Sequence, residues 1–110
     1  TPERYDHLER LGDLLRNELR ALFAEMEAPM SVTGIASLFA LQFTTEEVVD
    51  YRSYATNDKD MSDLMFIGLL NEGFLLSNRC AGNVSTAHTE DDVYAFVTAV
   101  RNVLKRAGYA

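Results

Sequence analysis

The feature that most constrains the fold is a strand-like segment at residues 35–43 with apolar side chains on both faces. Side chains alternate between the faces of a strand, so three large ones share one face: Phe39, Leu41 and Phe43. Leu38 and Ala40 lie on the other face, where Gln42 is the polar exception. A strand covered on one side only alternates more regularly. We therefore expect a sheet covered on both faces, whose second face is an exposed apolar patch, or is hidden by self-association, when the covering body is missing.

The N-terminal residues predict a long amphipathic helix. Thr1 suits the N-cap, Pro2 suits the first helical position, and Pro29 stops the pattern. Apolar residues recur every three or four positions: Tyr5, Leu8, Leu11, Leu15, Leu19 and Phe23. This stripe predicts that one side of the helix packs on a core.

The C-terminal residues predict a second amphipathic helix. Thr89 can cap it, and three carboxylates follow where they face the positive helix end: Glu90, Asp91 and Asp92. Its apolar stripe consists of Val93, Phe96, Val97, Val100 and Leu104. Gly108 ends the helix.

The residues between these helices predict a third helix and two short strands. The helix is capped by Asp60 or Ser62 and ends at Gly73. The strands are predicted at residues 74–76 and 83–86. The order of elements predicts an α+β fold, a two-layer sandwich in which a small, mainly antiparallel three-stranded sheet has helices on one face. We expect one domain over residues 1–110, with the long helix at 1–29 and the sandwich at 30–110.

Composition excludes several classes of function. Ten basic residues against seventeen acidic ones give a formal charge of -7, whereas nucleic-acid binding needs a basic surface. No apolar run approaches the ~20 residues that span a bilayer, so no membrane partner is expected. The single cysteine, Cys80, excludes an internal disulfide and indicates a reducing, cytoplasmic location. We interpret Cys80 as a partly buried small residue rather than a nucleophile.

No residue pattern amounts to a self-sufficient active site. Ser85 and His88 are three apart but lack the Gly-x-Ser-x-Gly elbow of a hydrolase, so His88 is interpreted as packing locally before a helix cap. His7 and His88 have no neighbours at metal-ligand spacing, so no metal is expected. Lys59 and Lys105 lie in polar positions, not in the desolvated pocket that a Schiff-base lysine requires.

Four phrases in order resemble the C-terminal segment of class III pyridoxal-phosphate aminotransferases, most closely the glutamate-1-semialdehyde aminomutases. They are Ser-Leu-Phe-Ala-Leu-Gln-Phe-Thr at 37–44, Leu-Leu-Asn-Glu-Gly at 69–73, Phe-Leu-Leu-Ser at 74–77 and Ser-Thr-Ala-His-Thr-Glu-Asp-Asp-Val at 85–93. The likeness covers essentially all 110 residues. It implies the small C-terminal domain of a fold-type-I enzyme, usually a homodimer.

The resemblance also implies where the chemistry lies. Pyridoxal phosphate and its lysine belong to the large domain, so this chain is expected to be a fragment with no catalytic residue and no cofactor of its own. The small domain closes over an amino-acid or keto-acid substrate and helps bind its carboxylate. Arg79 is the candidate for that contact, because a guanidinium binds a carboxylate through two parallel hydrogen bonds, and Ser77 and Asn78 are weaker candidates. An ordinary solvent-facing arginine is the alternative.

One departure from the family pattern bears on the substrate. Aminomutases of this group commonly carry a Ser-x-Phe-Glu-Ala-like phrase, whereas residues 78–82 here lack the glutamate. This favours a related aminotransferase or aminomutase of other specificity. Two other interpretations stay open: a self-contained regulatory or protein-interaction module that uses an open sheet face, and a sensor that binds an acidic metabolite through Arg79.

Overall fold

The computed structural model describes residues 2–44, 58–77, 80–85 and 87–109 of the chain. Within these ranges it contains three helices and three strands: α1 (Pro2–Glu25), β1 (Ser31–Thr33), β2 (Leu38–Gln42), α2 (Lys59–Asn71), β3 (Ala81–Asn83) and α3 (Glu90–Arg106). None of the described helices combines the length and the apolar character that crossing a membrane requires.

The strands form one antiparallel sheet in the order β1-β2-β3. Ser31 of β1 lies opposite Gln42 of β2, and Leu38 of β2 lies opposite Asn83 of β3. The predicted α+β class with a three-stranded antiparallel sheet is therefore confirmed.

The predicted strand boundaries were wrong in four places. The strand predicted at residues 35–43 is confined to Leu38–Gln42, because residues 35–37 form a turn that Leu38 N–H closes onto Ile35 O at 2.9 Å. Residues 74–76 are not a strand. Ser77 N–H donates to Ala81 O at 3.1 Å, but residues 74–76 do not continue this bond into a ladder of hydrogen bonds with β3. Ser31–Thr33 is a strand that the sequence did not reveal, and Ala81–Asn83 replaces the strand predicted at 83–86. A strand of three residues is too short to show the alternation of apolar and polar side chains. These two strands are therefore defined by their pairing with β2 and not by their own sequence pattern.

One face of the sheet is covered by α1 and α3. The large side chains that point to this face are buried: Phe39, Leu41 and Phe43. The ring of Phe39 meets Phe96 of α3 edge-on at a centroid distance of 5.4 Å, and Phe74 meets the same ring at 5.3 Å. The predicted apolar stripes of α1 and α3 meet here and form the core. Burying each such side chain contributes about 1.5–3 kcal/mol to stability.

The second face of the sheet is mixed rather than apolar. From the register, it carries Ser31, Thr33, Leu38, Ala40, Gln42, Ala81 and Asn83. Leu38 is 51% exposed, but the Gln42 amide donates from Nε2 to Thr33 Oγ1 at 3.1 Å. The predicted apolar patch is therefore wrong in extent. The alternation of side chains within β2 gave no information about the polar residues that β1 and β3 place on the same face.

Helix α2 packs on α3 rather than on the sheet. Asp58, not Asp60 or Ser62, is its N-cap, and Asp58 Oδ1 accepts from Met61 N at 3.1 Å. At the other end, Glu72 accepts from Arg106 at 2.8 Å and Asn102 at 2.9 Å. These hydrogen bonds, with Arg106 first, hold the pKa of Glu72 below its usual value and tie α2 to α3.

Helix α3 begins as predicted. Thr89 is the N-cap, Asp92 N donates to Thr89 Oγ1 at 3.4 Å, and Asp92 Oδ2 accepts from Thr89 N at 2.7 Å. This reciprocal pair satisfies two backbone N–H groups at the helix start. The α1 cap predicted at Thr1 lies outside the described residues.

Candidate functional site

Of the residues predicted to bind a carboxylate, Ser77 is described, and it lies beside the start of β3. Ser77 is exposed; its N–H donates to Ala81 O at 3.1 Å and its Oγ accepts from Ala81 N at 3.2 Å. Asn78 and Arg79 lie outside the described residues, so their contact with a substrate stays a prediction. Cys80 N donates to Ser77 O at 2.8 Å. These bonds define the Ser77/Cys80 pair, which holds the backbone on both sides of Asn78 and Arg79.

Cys80 anchors this pair to the protein interior. Its side chain is 0% exposed, and Sγ donates to Ser62 O at 3.5 Å. Its carbonyl accepts from Leu41 N of β2 at 3.0 Å. Burial raises the pKa of the Cys80 thiol to about 11, so the thiol stays protonated near neutral pH. Cys80 is thus a buried structural residue, more fully buried than the sequence indicated, and not a nucleophile.

A cavity of about 250 Å³ lies between β3, α3 and the residues around Phe74. Its walls are chiefly apolar and include the rings of Phe39 and Phe96. Gly82 makes room for one ring, since a Cβ there would lie 2.7 Å from Phe39 Cζ. Asp92 at its edge is engaged in the Thr89 cap described above. His88 also lines the cavity, and its Nδ1 accepts the backbone N–H of Ser85, so both titratable side chains at the cavity take part in local hydrogen bonds.

Ser85 and His88 do contact each other, but not as a nucleophile and its base. His88 Nδ1 accepts the backbone N–H of Ser85 at 2.8 Å and lies 3.3 Å from Ser85 Oγ. The ring nitrogen nearest the hydroxyl is thus already occupied, and a base must be free to take the proton. The local packing predicted for His88 is confirmed. Among the described residues, no group of three His, Cys, Asp or Glu is placed to hold a metal.

A buried polar interaction that joins α1 to the sheet was missed by the sequence interpretation. Arg16 of α1 is only 4% exposed, and its Nη1 donates to Ala36 O at 2.9 Å and Leu38 O at 2.6 Å. Its Nη2 donates to Asp13 at 2.8 Å. A buried guanidinium is stable only when its donors are paired. The signal was present as Gly12 and Arg16, four residues apart on the buried side of a helix otherwise lined by leucines.

Comparison with known proteins identifies the family. No family model matches the chain. A glutamate-1-semialdehyde 2,1-aminomutase of Staphylococcus saprophyticus is 32% identical over 108 residues, which are 96% of this chain and 25% of that protein. The structure of an omega-transaminase from Sphaerobacter thermophilus matches with a TM-score of 0.92 and 28% identity, over 97% of this chain and 25% of that one.

A beta-phenylalanine aminotransferase from Variovorax paradoxus matches with a TM-score of 0.87 and 31% identity, over 93% of this chain and 24% of that one. The chain thus spans about a quarter of the length of the relatives that it matches. Since nearly all of its residues take part in these matches, the chain belongs to the family of glutamate-1-semialdehyde 2,1-aminomutases and related class III aminotransferases, and corresponds to the C-terminal domain of their fold.

Proposed function

We propose that this chain is the small domain of a pyridoxal-phosphate-dependent aminotransferase or aminomutase, where it closes the active site and helps bind the substrate carboxylate. The observation that carries the proposal is the match along 96% of the chain to an aminomutase four times as long. The activity belongs to the whole enzyme, and the chain contributes one wall of its site.

The described residues do not fit pyridoxal phosphate on their own. This cofactor supplies the electron sink of amino-group transfer. A lysine that bonds to it must be desolvated, but the Lys59 side chain is 85% exposed and pairs with Asp63 at 3.3 Å, and Lys105 is exposed on α3. We therefore assign the cofactor to the remainder of the enzyme, and we derive no step of its chemistry from this chain.

The hydrogen bonds of the Ser77/Cys80 pair support a binding role for Arg79. The pair is tied to β2 through Leu41 and to α2 through Ser62, so the backbone next to Arg79 has a fixed place on the sheet. A formal charge of -7 repels a substrate carboxylate, so its binding requires a local cation. A guanidinium provides both that charge and two aligned donors.

The proposal extends to the assembly and its location. We propose a cytoplasmic homodimer that acts on a small amino or keto acid, with no nucleic-acid or membrane partner. The excess of acidic residues supports the first exclusion. The alternative of a self-contained interaction module has lost its main support, because the second sheet face is mixed rather than apolar.

Substitution of Arg79 in the full-length enzyme tests the binding role. A charge-assisted hydrogen bond contributes about 1.5–3 kcal/mol, so Arg79→Ala should raise KM for a carboxylate-bearing substrate about 10- to 100-fold. Arg79→Lys should restore part of this loss, since it keeps the charge but not the planar fork. Steady-state kinetics with an amino acid and with an amine that lacks the carboxylate provide the measurement.

Arg10→Ala is the matched control, because Arg10 is an exposed arginine on α1. Its KM values should equal those of the wild type. If Arg79→Ala weakens the amine and the amino acid equally, Arg79 does not bind the carboxylate. If the wild-type enzyme transfers no amino group at all, the proposed function itself is wrong.

A further inference from the structure

The turn between β1 and β2, residues 34–37, is fixed by hydrogen bonds along its backbone. Leu38 N–H donates to Ile35 O at 2.9 Å and closes the turn. Val84 N–H donates to Ser37 O at 2.9 Å. The Arg16 guanidinium donates to the other two carbonyls, Ala36 O and Leu38 O, as described above. Every carbonyl from residue 35 to residue 38 is therefore paired, and the turn has no freedom to rearrange without leaving one unpaired.

The backbone of this turn adopts conformations that are rare outside glycine. Ala36 has a φ of 54°, in the left-handed region, although it carries a side chain. Gly34 has a φ of 145°, and a Cβ there would lie 2.1 Å from Leu38 O. Gly12, inside α1, allows the turn to approach, because a Cβ there would lie 1.8 Å from Ala36 O. Glycine destabilises a helix interior, so this close approach is maintained at a cost.

The side chain that this rigid turn presents is apolar. Ile35 is 75% exposed, and Leu38 beside it is 51% exposed. Turns ordinarily carry Gly, Pro, Asn, Asp or Ser. Strained backbone that is held by many interactions is typical of functional positions. An exposed isoleucine on such a backbone indicates a contact surface.

We propose that the β1–β2 turn is a preorganised contact by which this domain docks on an apolar recess in the remaining part of the same enzyme, with Ile35 as its anchor. The proposal rests on the proposed function, and on the finding that the chain spans a quarter of the length of its relatives. A turn that is already rigid loses little conformational entropy when it docks. Ile35 and Leu38 define the chemistry of the recess, which must be apolar.

A second copy of this chain does not suit the turn. Two partly exposed side chains provide far less than the about 800 Å² per partner that a stable interface buries. Two parts of one polypeptide meet at a high effective concentration, so a small contact is sufficient between them. The size of the surface therefore favours docking within one enzyme molecule.

Thiol labelling of the full-length enzyme tests the proposal. Each variant's labelling rate with iodoacetamide is divided by its rate in urea. The normalised rate of Ile35→Cys should be at least about 30-fold lower than that of Ile67→Cys, because the reagent reaches a docked side chain only after local opening. Ile67 is the matched control: it is an isoleucine, 57% exposed, on the outward side of α2. Cys80 is buried, and labelling of the wild type gives the background to subtract.

Each result decides the question. Slow labelling at position 35 and fast labelling at position 67 support the contact, whether or not the enzyme transfers amino groups; absence of transfer contradicts only the proposed function. Equal rates at the two positions overturn the proposal. Protection that disappears when the enzyme is diluted to its monomer also overturns it, because the occupant is then a second copy. Both side chains are exposed, so neither substitution removes core packing.

Discussion

Two turn regions at opposite ends of the sheet are held in different ways. The β1–β2 turn is fixed by a buried arginine from α1, whose Nη1 reaches two carbonyls about 20 residues along the chain. The Ser77/Cys80 pair is held mainly by short-range bonds, in which Ser77 O accepts from Cys80 N and Ser77 exchanges two hydrogen bonds with Ala81. Its links to the rest of the domain are the carbonyl and the thiol of Cys80.

This difference separates a turn that is held by a buried side chain from a pair that is held mainly by bonds at an exposed residue. Moving the β1–β2 turn leaves part-buried carbonyls and a buried guanidinium unpaired, which is costly. The bonds of Ser77 lie at an exposed residue, where water can replace them. The first arrangement suits a docking contact of constant shape, whereas the bonds of Ser77 cost less free energy to replace.

The largest expected effect is at Arg16. Arg16→Met keeps much of the side-chain volume but removes the donors to Ala36 O and Leu38 O. Leaving a buried acceptor unpaired costs about 1–3 kcal/mol, so the free energy of unfolding should fall by roughly 2–4 kcal/mol. Urea denaturation measures this loss. Arg10→Met, at an exposed arginine on α1, should change stability by less than about 0.5 kcal/mol. Equal losses at the two positions would show that the turn is not held by Arg16.

The next effect is the pH dependence contributed by Cys80. Its pKa is raised from 9.0 to about 11 in the folded chain, so the folded state favours the neutral thiol. This stabilisation is fully present below pH 9 and is lost as the pH rises from about 9 through 11. The total loss of unfolding free energy is about 2–3 kcal/mol, because each unit of pKa shift corresponds to about 1.36 kcal/mol. Urea denaturation of the wild type and of Cys80→Ala from pH 8 to 11 should show a steeper decline for the wild type. Parallel declines would mean that Cys80 is not desolvated.

The smallest effect compares the same substitution in the two turns. Ser77→Ala removes the hydroxyl that accepts from Ala81 N, which should lower the free energy of unfolding by about 0.5–1 kcal/mol. Ser37→Ala should cost less than about 0.5 kcal/mol, because Ser37 is held through its backbone carbonyl and not through its hydroxyl. Chemical denaturation of both variants checks the order. A larger loss at Ser37 would reverse the comparison.

The candidate site was only partly accessible from sequence. The family followed from an ordered set of phrases, and the local roles of His88 and Cys80 followed from their neighbours. The position of Ser77 beside β3 did not, because the sequence predicted a strand at residues 74–76 and placed the next one at 83–86. The chemistry of Arg79 stays a prediction, since it lies outside the described residues. The place of Arg16 among the leucines of α1 signalled a buried arginine, but its partners could not be predicted, because nothing near residues 36–38 in the sequence specifies a contact with α1.

The sequence by itself determined the helices α1 and α3, because each repeats its apolar stripe over many turns and α3 also carries its own capping residues. It also determined that Phe39, Leu41 and Phe43 share one face of β2, since side chains alternate along a strand. Only the tertiary structure decided the two short strands, the mixed second face and the buried arginine that fixes the β1–β2 turn. The physical reason is the range of the interactions: periodicity and caps act within one element, whereas register and buried hydrogen bonds join residues that only the folded chain brings together.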